Sequence, residues 1–179
     1  NTPLQIPNIR MATGRAPGHV RIGWMRSVGN IYHCFAAQSF LAELAHSAGR
    51  DHRDFLLDVI GEDRIIDFSA EGTPYSNHGA SPVEYPYNTA RLKHVLRRVT
   101  EMAGWGRSLP EGSALGLAIH RSFLTYVATV VEINVTANGD LEIPAAWVAV
   151  DAGTVVNPDS VKNQMQGGSV FGLSCALNA

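Results

Sequence analysis

The residues that invite chemistry lie towards the end of the chain. Asp151-Ala152-Gly153-Thr154-Val155-Val156-Asn157-Pro158 leads into a stretch that holds Gly167, Gly168 and Gly172. Asn157 suits the cap ahead of a helix and Pro158 its first position, so a helix is predicted from about 158 to 176. Each glycine inside that helix costs about 1 kcal/mol relative to alanine. Three of them together imply that something packs very close to the backbone. That can be a ligand, or a sheet pressed against a small-residue face. Asp151 is placed to brace the turn, and Asn157 to cap the helix.

Other chemistries find little support. No GxSxG and no paired nucleophile and base appears, which makes a hydrolase a poor reading. Cys34 and Cys175 lie in no CxxC or Cys/His pattern, which argues against a zinc site or an iron–sulfur cluster. Buried free thiols are their ordinary fate. His33, His94 and His120 stand alone and read as satisfied histidines of core or surface. Trp24, Phe40 and Phe123 read as core. No residue is assigned a catalytic or metal-ligating role.

The elements that must position the glycine helix follow from periodicity. Residues 1–18, with Pro3, Pro7, Gly14, Pro17 and Gly18, read as an irregular arm. His19 to Trp24 alternates and predicts a short strand; residues 25–30 predict a turn. A helix is expected over about 33–48, with Phe40, Leu41, Leu44, Ala45 and Ala48 on one face and Gly49 as its stop. Asp51 can cap a second, short helix carrying Phe55, Leu56, Val59 and Ile60. Residues 61–87 show no period and read as a long ordered loop. Asn88 can cap a third helix, with Leu92, Val95, Leu96, Val99 and Met102 at helical spacing and Gly104 closing it. From Leu117 to Val135 the pattern is that of strands. Asn138-Gly139 signals a hairpin, and Leu141 to Val150 returns, with Pro144 implying a bulge or an edge. The expected class is α+β, mainly helical over 19–110 and sheet plus packed terminal helix over 111–179.

Composition fits a globular chain: 179 residues, 45% hydrophobic and 17% charged. A formal charge of −2 argues against nucleic acid as a partner. Of 14 lysines and arginines only Lys93 and Lys162 are lysine, and arginine can make fixed bidentate contacts. No signal peptide is visible, and no apolar run approaches the length of a membrane span.

Three segments together resemble the large subunit of the xanthine oxidase and aldehyde oxidoreductase family, in its isoquinoline 1-oxidoreductase beta-subunit-like branch. The first is Trp24-Met25-Arg26-Ser27-Val28-Gly29, followed by Gln38-Ser39-Phe40-Leu41-Ala42-Glu43-Leu44-Ala45. The second is His120-Arg121-Ser122-Phe123 leading to Tyr126-Val127-Ala128. The third joins the 150–158 turn to Gln164-Met165-Gln166-Gly167-Gly168 and Phe171-Gly172-Leu173-Ser174. Gln38 stands where the branch has Glu, and Asp51-His52 where it has Asp-Pro.

The resemblance implies an incomplete molybdopterin-binding domain and, as cofactor, molybdopterin cytosine dinucleotide. Gln164 aligns with a pterin-contacting glutamine; its amide both donates and accepts, as a pterin edge does. Gly167 and Gly168 would admit the cofactor or a neighbouring backbone. Arg26 and Gly29 fall in the family's RGFG-like turn near the molybdenum. The implied partner is an iron–sulfur small subunit, and the implied substrate of the whole enzyme an N-heteroaromatic or an aldehyde. The family's glutamate base lies in a Gly-x-Gly-Glu-like motif downstream of the QxxGG helix, which these residues do not contain. The chain is therefore expected to be a fragment without turnover of its own. The alternative is a non-catalytic scaffold or homo-oligomerisation domain, because exposed apolar surface drives self-association.

Overall fold

The computed structural model describes residues 3–10, 12, 14–68 and 77–178. Four helices and a three-stranded antiparallel sheet make an α+β fold, as the patterning implies. In chain order these are α1 (Asn30–Ser47), α2 (His52–Ile60), β1 (Ile65–Ile66), β2 (Tyr87–Asn88), α3 (Thr89–Met102), β3 (Ser113–Ser122), β4 (Thr125–Val135), β5 (Leu141–Asp151) and α4 (Pro158–Asn178). A short 3₁₀ turn, Asn77–Gly79, precedes β2. Part of the 61–87 stretch read as an ordered loop, residues 69–76, lies outside the described residues. Its two ends pair as the β1–β2 ladder, Ile65 opposite Asn88 and Ile66 opposite Tyr87.

The helix caps behave as their residue types dictate. The Asp51 carboxylate accepts from Asp54 N at 3.0 Å and from Trp105 Nε1 at 2.8 Å. The Asn88 side chain accepts from Ala90 N and Arg91 N. Asn157 Oδ1 accepts from Ser160 N at 3.0 Å and opens α4. Gly104, at φ +61, follows the C-cap of α3. On α3 the apolar stripe Leu92, Val95, Leu96 and Val99 is buried, and Met102 is exposed. On α2, Leu56 and Ile60 are buried.

The sheet has the order β3-β4-β5. Pro144 satisfies both of its expectations: β5 is an edge strand, and the β4–β5 register shifts between Glu132 and Asn134. Tyr126, Ala128 and Val130 of β4 and Ala149 of β5 point into the core with α3. The alternate residues Ala146, Val148 and Val150 face α4 on the other side. The turn from β3 to β4 is a second hairpin that carries no Gly or Asn; Phe123 takes φ +53 there.

Four expectations are corrected. His19 to Trp24 is not a strand. Alternation alone is satisfied by an extended arm, and a strand needs a neighbour to pair with. Val20, Ile22 and Trp24 are accordingly exposed, Trp24 to 91%. Phe40 and Phe123, at 59% and 45%, are not core either. α1 buries only Leu41 and Ala45, so its inner face is narrower than the sequence pattern, and Phe40 and Leu44 turn outward. Both cysteines are free thiols, half-buried rather than sealed. Burial pushes the Cys34 thiol up.

One polar cluster ties helix to sheet. Tyr126 is fully buried; its hydroxyl accepts from Asn88 N at 2.7 Å and donates to Pro86 O at 3.2 Å. Arg91 lies over its ring at 4.7 Å and grips Asp151 bidentately, Nε to Oδ2 at 2.7 Å and Nη2 to Oδ1 at 2.6 Å. Asp151 Oδ1 also accepts from Gly153 N at 3.1 Å, where Gly153 has φ +75. Asp151 thus braces the turn, as expected. Its carboxyl is held below the usual range chiefly by the hydrogen bond from Arg91.

A depressed folded pKa contributes stability above the unfolded value that is lost as pH falls through the folded one. The two side chains keep 34% and 27% of their exposure, which places the contact at the modest end of charged hydrogen bonds. Asp151→Asn is expected to lower the unfolding free energy at pH 7 by about 1–2 kcal/mol. Urea denaturation checks this: the gap to the parent chain should narrow below about pH 4. A gap that is flat from pH 7 to pH 3 contradicts the assignment.

Candidate functional site

The turn at 25–29 and the second turn of α4 meet although 138 positions separate them in the chain. Arg26 Nη2 donates to Gln164 O at 2.9 Å and to Gln164 Oε1 at 2.8 Å. The same guanidinium lies over the glycines: a Cβ at Gly168 would stand 3.6 Å from Arg26 Nη2, and one at Gly167 4.0 Å from Nη1. Arg26, Gln164, Gly167 and Gly168 are therefore brought together, as the sequence reading groups them. Gln164 and Gly167 are exposed and Gly168 half-buried, so this face is open.

Gly29 is not part of the cluster's contacts. It precedes α1 at φ −67, and its carbonyl accepts from His33 N at 3.2 Å. A Cβ there would stand 2.9 Å from the hydroxyl oxygen of Tyr32, an exposed side chain that can move aside.

What aims Arg26 is not visible in the sequence. Ser27 and Val28 take φ +63 and +49, a region that costs non-glycine residues of order 1–3 kcal/mol each. The turn is closed by Val28 N to Met25 O at 2.8 Å and Asn30 N to Ser27 O at 2.9 Å. Asn30 Nδ2 donates to Ser27 O at 3.0 Å, while its Oδ1 faces His120 Nε2 at 2.8 Å. Burial, and then His33, lower the pKa of His120. Asn30 offers an acceptor there, so His120 Nε2 carries the proton. His120 is thus a satisfied histidine that anchors the turn to β3. Gln38 adds a second anchor, its Oε1 accepting from Ile119 N at 3.1 Å. Positive φ at Ser27 and Val28 has no signal in residue type, so residue types alone do not foretell the strain.

On its other side α4 borders a cleft of about 800 Å³ against β5. Val148, Val150, Val161, Met165, Ser169 and Leu173 are among its walls. Gln164, Gly167 and Gly168 are not, so the polar face and the apolar cleft are separate surfaces of one helix. A ligand rich in donors and acceptors suits the polar face; an apolar wall leaves such groups without partners. Among the described residues, no three His, Cys, Asp or Glu side chains gather to hold a metal.

Comparison with known proteins gives the family context of these elements. Residues 112–178, covering the sheet and α4, match the molybdopterin cofactor-binding domain. The α+β fold is consistent with a molybdopterin-binding domain. The chain is 33% identical over 164 residues to a protein of Gluconacetobacter polyoxogenes named membrane-bound aldehyde dehydrogenase [pyrroloquinoline-quinone], covering 88% of this chain and 20% of that protein. It is 32% identical over 162 residues to the beta subunit of isoquinoline 1-oxidoreductase from Brevundimonas diminuta, covering 88% of this chain and 17% of the relative. It is 28% identical over 183 residues to a nicotinate dehydrogenase subunit of Pseudomonas putida, covering 98% and 14%. The chain belongs to the molybdopterin-binding xanthine oxidase family. It spans a fifth or less of the length of these relatives. No solved structure matches. No helix among the described residues is long and apolar enough to cross a membrane.

The glycines give a test of what shapes α4. A Cβ at Gly172 would meet nothing within 4 Å. The chain's own packing does not require glycine there, and alanine is the better helix former. Gly172→Ala is expected to raise the unfolding free energy by about 0.5–1 kcal/mol. A loss of stability in urea denaturation would show a contact at this position that the structure lacks.

Proposed function

We propose that this chain supplies part of the cofactor cleft of a molybdenum-dependent oxidoreductase, with Gln164, Gly167, Gly168 and the Arg26 turn on the pterin side. The observation that carries this reading is the open polar face on α4. It joins two distant segments, is floored by glycines, and lies in the region that matches the molybdopterin-binding domain.

The donor set suits the group. A pterin edge presents both donors and acceptors, and Gln164, the Arg26 guanidinium and nearby backbone are neutral or cationic partners for it. Gly167 and Gly168 lack the side chains that would hold the Arg26 guanidinium, and a ring beside it, off the helix. Gly29 is kept in the proposed set as part of the turn that presents Arg26. The form of the cofactor proposed is molybdopterin cytosine dinucleotide. When bound, the group supplies two-electron redox chemistry for oxidising an N-heteroaromatic or an aldehyde. The residues of this chain bind and orient it, and none is assigned a proton-transfer step. The proposed partner is an iron–sulfur small subunit; two relatives are themselves named as subunits.

The 179 residues are proposed to have no oxidase turnover alone, because the stretch they match is a fifth or less of each relative. A second reading, scaffold or oligomerisation surface, is favoured by one observation. Val20, Ile22 and Trp24 of the arm are exposed in succession.

The test is the pterin and molybdenum content of the chain purified from a cofactor-producing host. The parent chain should carry pterin, and Gly168→Leu should carry about a tenth as much or less while circular dichroism shows it folded. Equal pterin in the two chains would sink the placement of the cofactor on α4. Aldehyde or N-heteroaromatic oxidation by the purified chain would overturn the claim that it does not turn over alone.

A further inference from the structure

We propose that Arg26 is a positioning residue that fixes Gln164 as a hydrogen-bond donor towards its ligand, so that the site takes an acceptor atom of the heterocycle. The proposal rests on the cofactor reading above and specifies its polarity.

A primary amide can turn over and exchange its donor and acceptor ends at little cost. Arginine removes that choice, because its guanidinium carries five N–H donors and no acceptor. Arg26 Nη2 sits 2.8 Å from the Gln164 side chain. The atom facing it must be the amide oxygen. The same nitrogen also donates to the Gln164 main-chain carbonyl at 2.9 Å, which sets the direction of approach. Gln164 Nε2 is turned away, and it makes no hydrogen bond among the described residues. The Nε2 end of Gln164, left without a partner among the described residues, therefore presents N–H groups, while the oxygen end is engaged by Arg26. Arg26 forms no ion pair with a carboxylate among the described residues, so its charge also favours an electron-rich partner beside the glycines. The groups that suit this surface are a lactam oxygen or an unprotonated ring nitrogen. A ring N–H facing Gln164 Nε2 would meet donor against donor.

The arginine is held for this task from behind. Ser27 and Val28 bend the chain at positive φ, and Asn30 and His120 pin that bend to β3. The latch thus belongs to the turn and does not hang from a free tail.

The experiment uses the 179-residue chain and 6-hydroxymethylpterin, whose own fluorescence reports binding. Gln164→Ala removes the donor and should weaken binding several-fold. Gln164→Glu keeps the bond to Arg26, as an ion pair, and turns a second oxygen outward. If the ligand presents an acceptor, Gln164→Glu binds about tenfold more weakly than Gln164→Ala. Gln164→Glu binding as well as or better than Gln164→Ala overturns the donor assignment and leaves the cofactor reading standing. Absence of pterin binding by the parent chain overturns the cofactor reading, and the assignment with it.

Arg26→Ala frees the amide to rotate and should weaken binding a few-fold; Arg26→Lys, which can still donate to the oxygen, should restore most of it. A second readout needs no ligand. The Gln164 side-chain amide signals in a ¹⁵N–¹H spectrum, identified by their loss in Gln164→Ala, should move in Arg26→Ala. Unmoved signals overturn the latch. Circular dichroism of each variant separates these outcomes from unfolding.

Discussion

The fold turns on one buried ring between two guanidinium groups. Tyr126 lies fully buried in β4, with Arg91 over it at 4.7 Å and Arg121 at 5.5 Å. Arg121 also lies over Tyr87 at 4.9 Å, and its Nη2 donates to Asn77 Oδ1 at 3.2 Å. Arg91 carries the connection to Asp151 at the end of β5. A single tyrosine thus relates β2, α3, β4 and the turn that launches α4. Withdrawing a cation from water, fully for Arg121 and partly for Arg91, is costly unless its donors are occupied and its charge is faced by carboxylate or π density. Both conditions are met for Arg91 by Asp151 and Tyr126. Its pKa is raised, first by the hydrogen bond to Asp151. The direction in which α4 leaves the sheet is inherited from this cluster through Asp151 and Gly153.

α4 itself is held differently. It is 21 residues long and buries none of them. One side borders the apolar cleft against β5; the other is met by Arg26 from the arm. Its register against the rest of the chain thus depends on the launching turn and on one exposed polar contact. A helix so placed can carry a face whose residues are chosen for something other than core packing. This is consistent with the way Gln164 and the glycines are arranged.

Periodicity made much of this legible. The α3 stripe, the caps at Asp51, Asn88 and Asn157, the Asn138-Gly139 hairpin and the dual role of Pro144 all follow from local rules that the environment did not overrule. The candidate site was legible by grouping: Arg26, Gln164, Gly167 and Gly168 share the family motifs and meet in space. What failed was local pattern without knowledge of a neighbour. His19 to Trp24 alternates as a strand does, yet has no ladder. Trp24, Phe40 and Phe123 are large and apolar, yet residue type does not say which side of an arm, helix or hairpin faces the core. The β3–β4 turn could not be seen because Phe123 occupies a conformation usually left to Gly or Asn. Arg91 and Arg121 are two among many arginines, and composition does not show which of them lies over a buried tyrosine.

The costs around Arg26 and Gln164 are unevenly distributed. Gly167, Gly168 and Gly172 together give up about 3 kcal/mol of helix propensity relative to alanine. Ser27 and Val28 add strain on the opposing side, of order 1–3 kcal/mol each. The contact they frame is an exposed pair of hydrogen bonds, which contributes about 0.5–1.5 kcal/mol apiece at best. The Asn30 and His120 anchors hold the turn in place but do not explain the glycines. A chain selected for its own stability alone would place alanine in α4 and glycine at the turn, and this sequence does the reverse at both. Helix propensity and backbone strain thus both run against the chain's own stability here, and local consistency is given up at the one place where the arm and α4 meet.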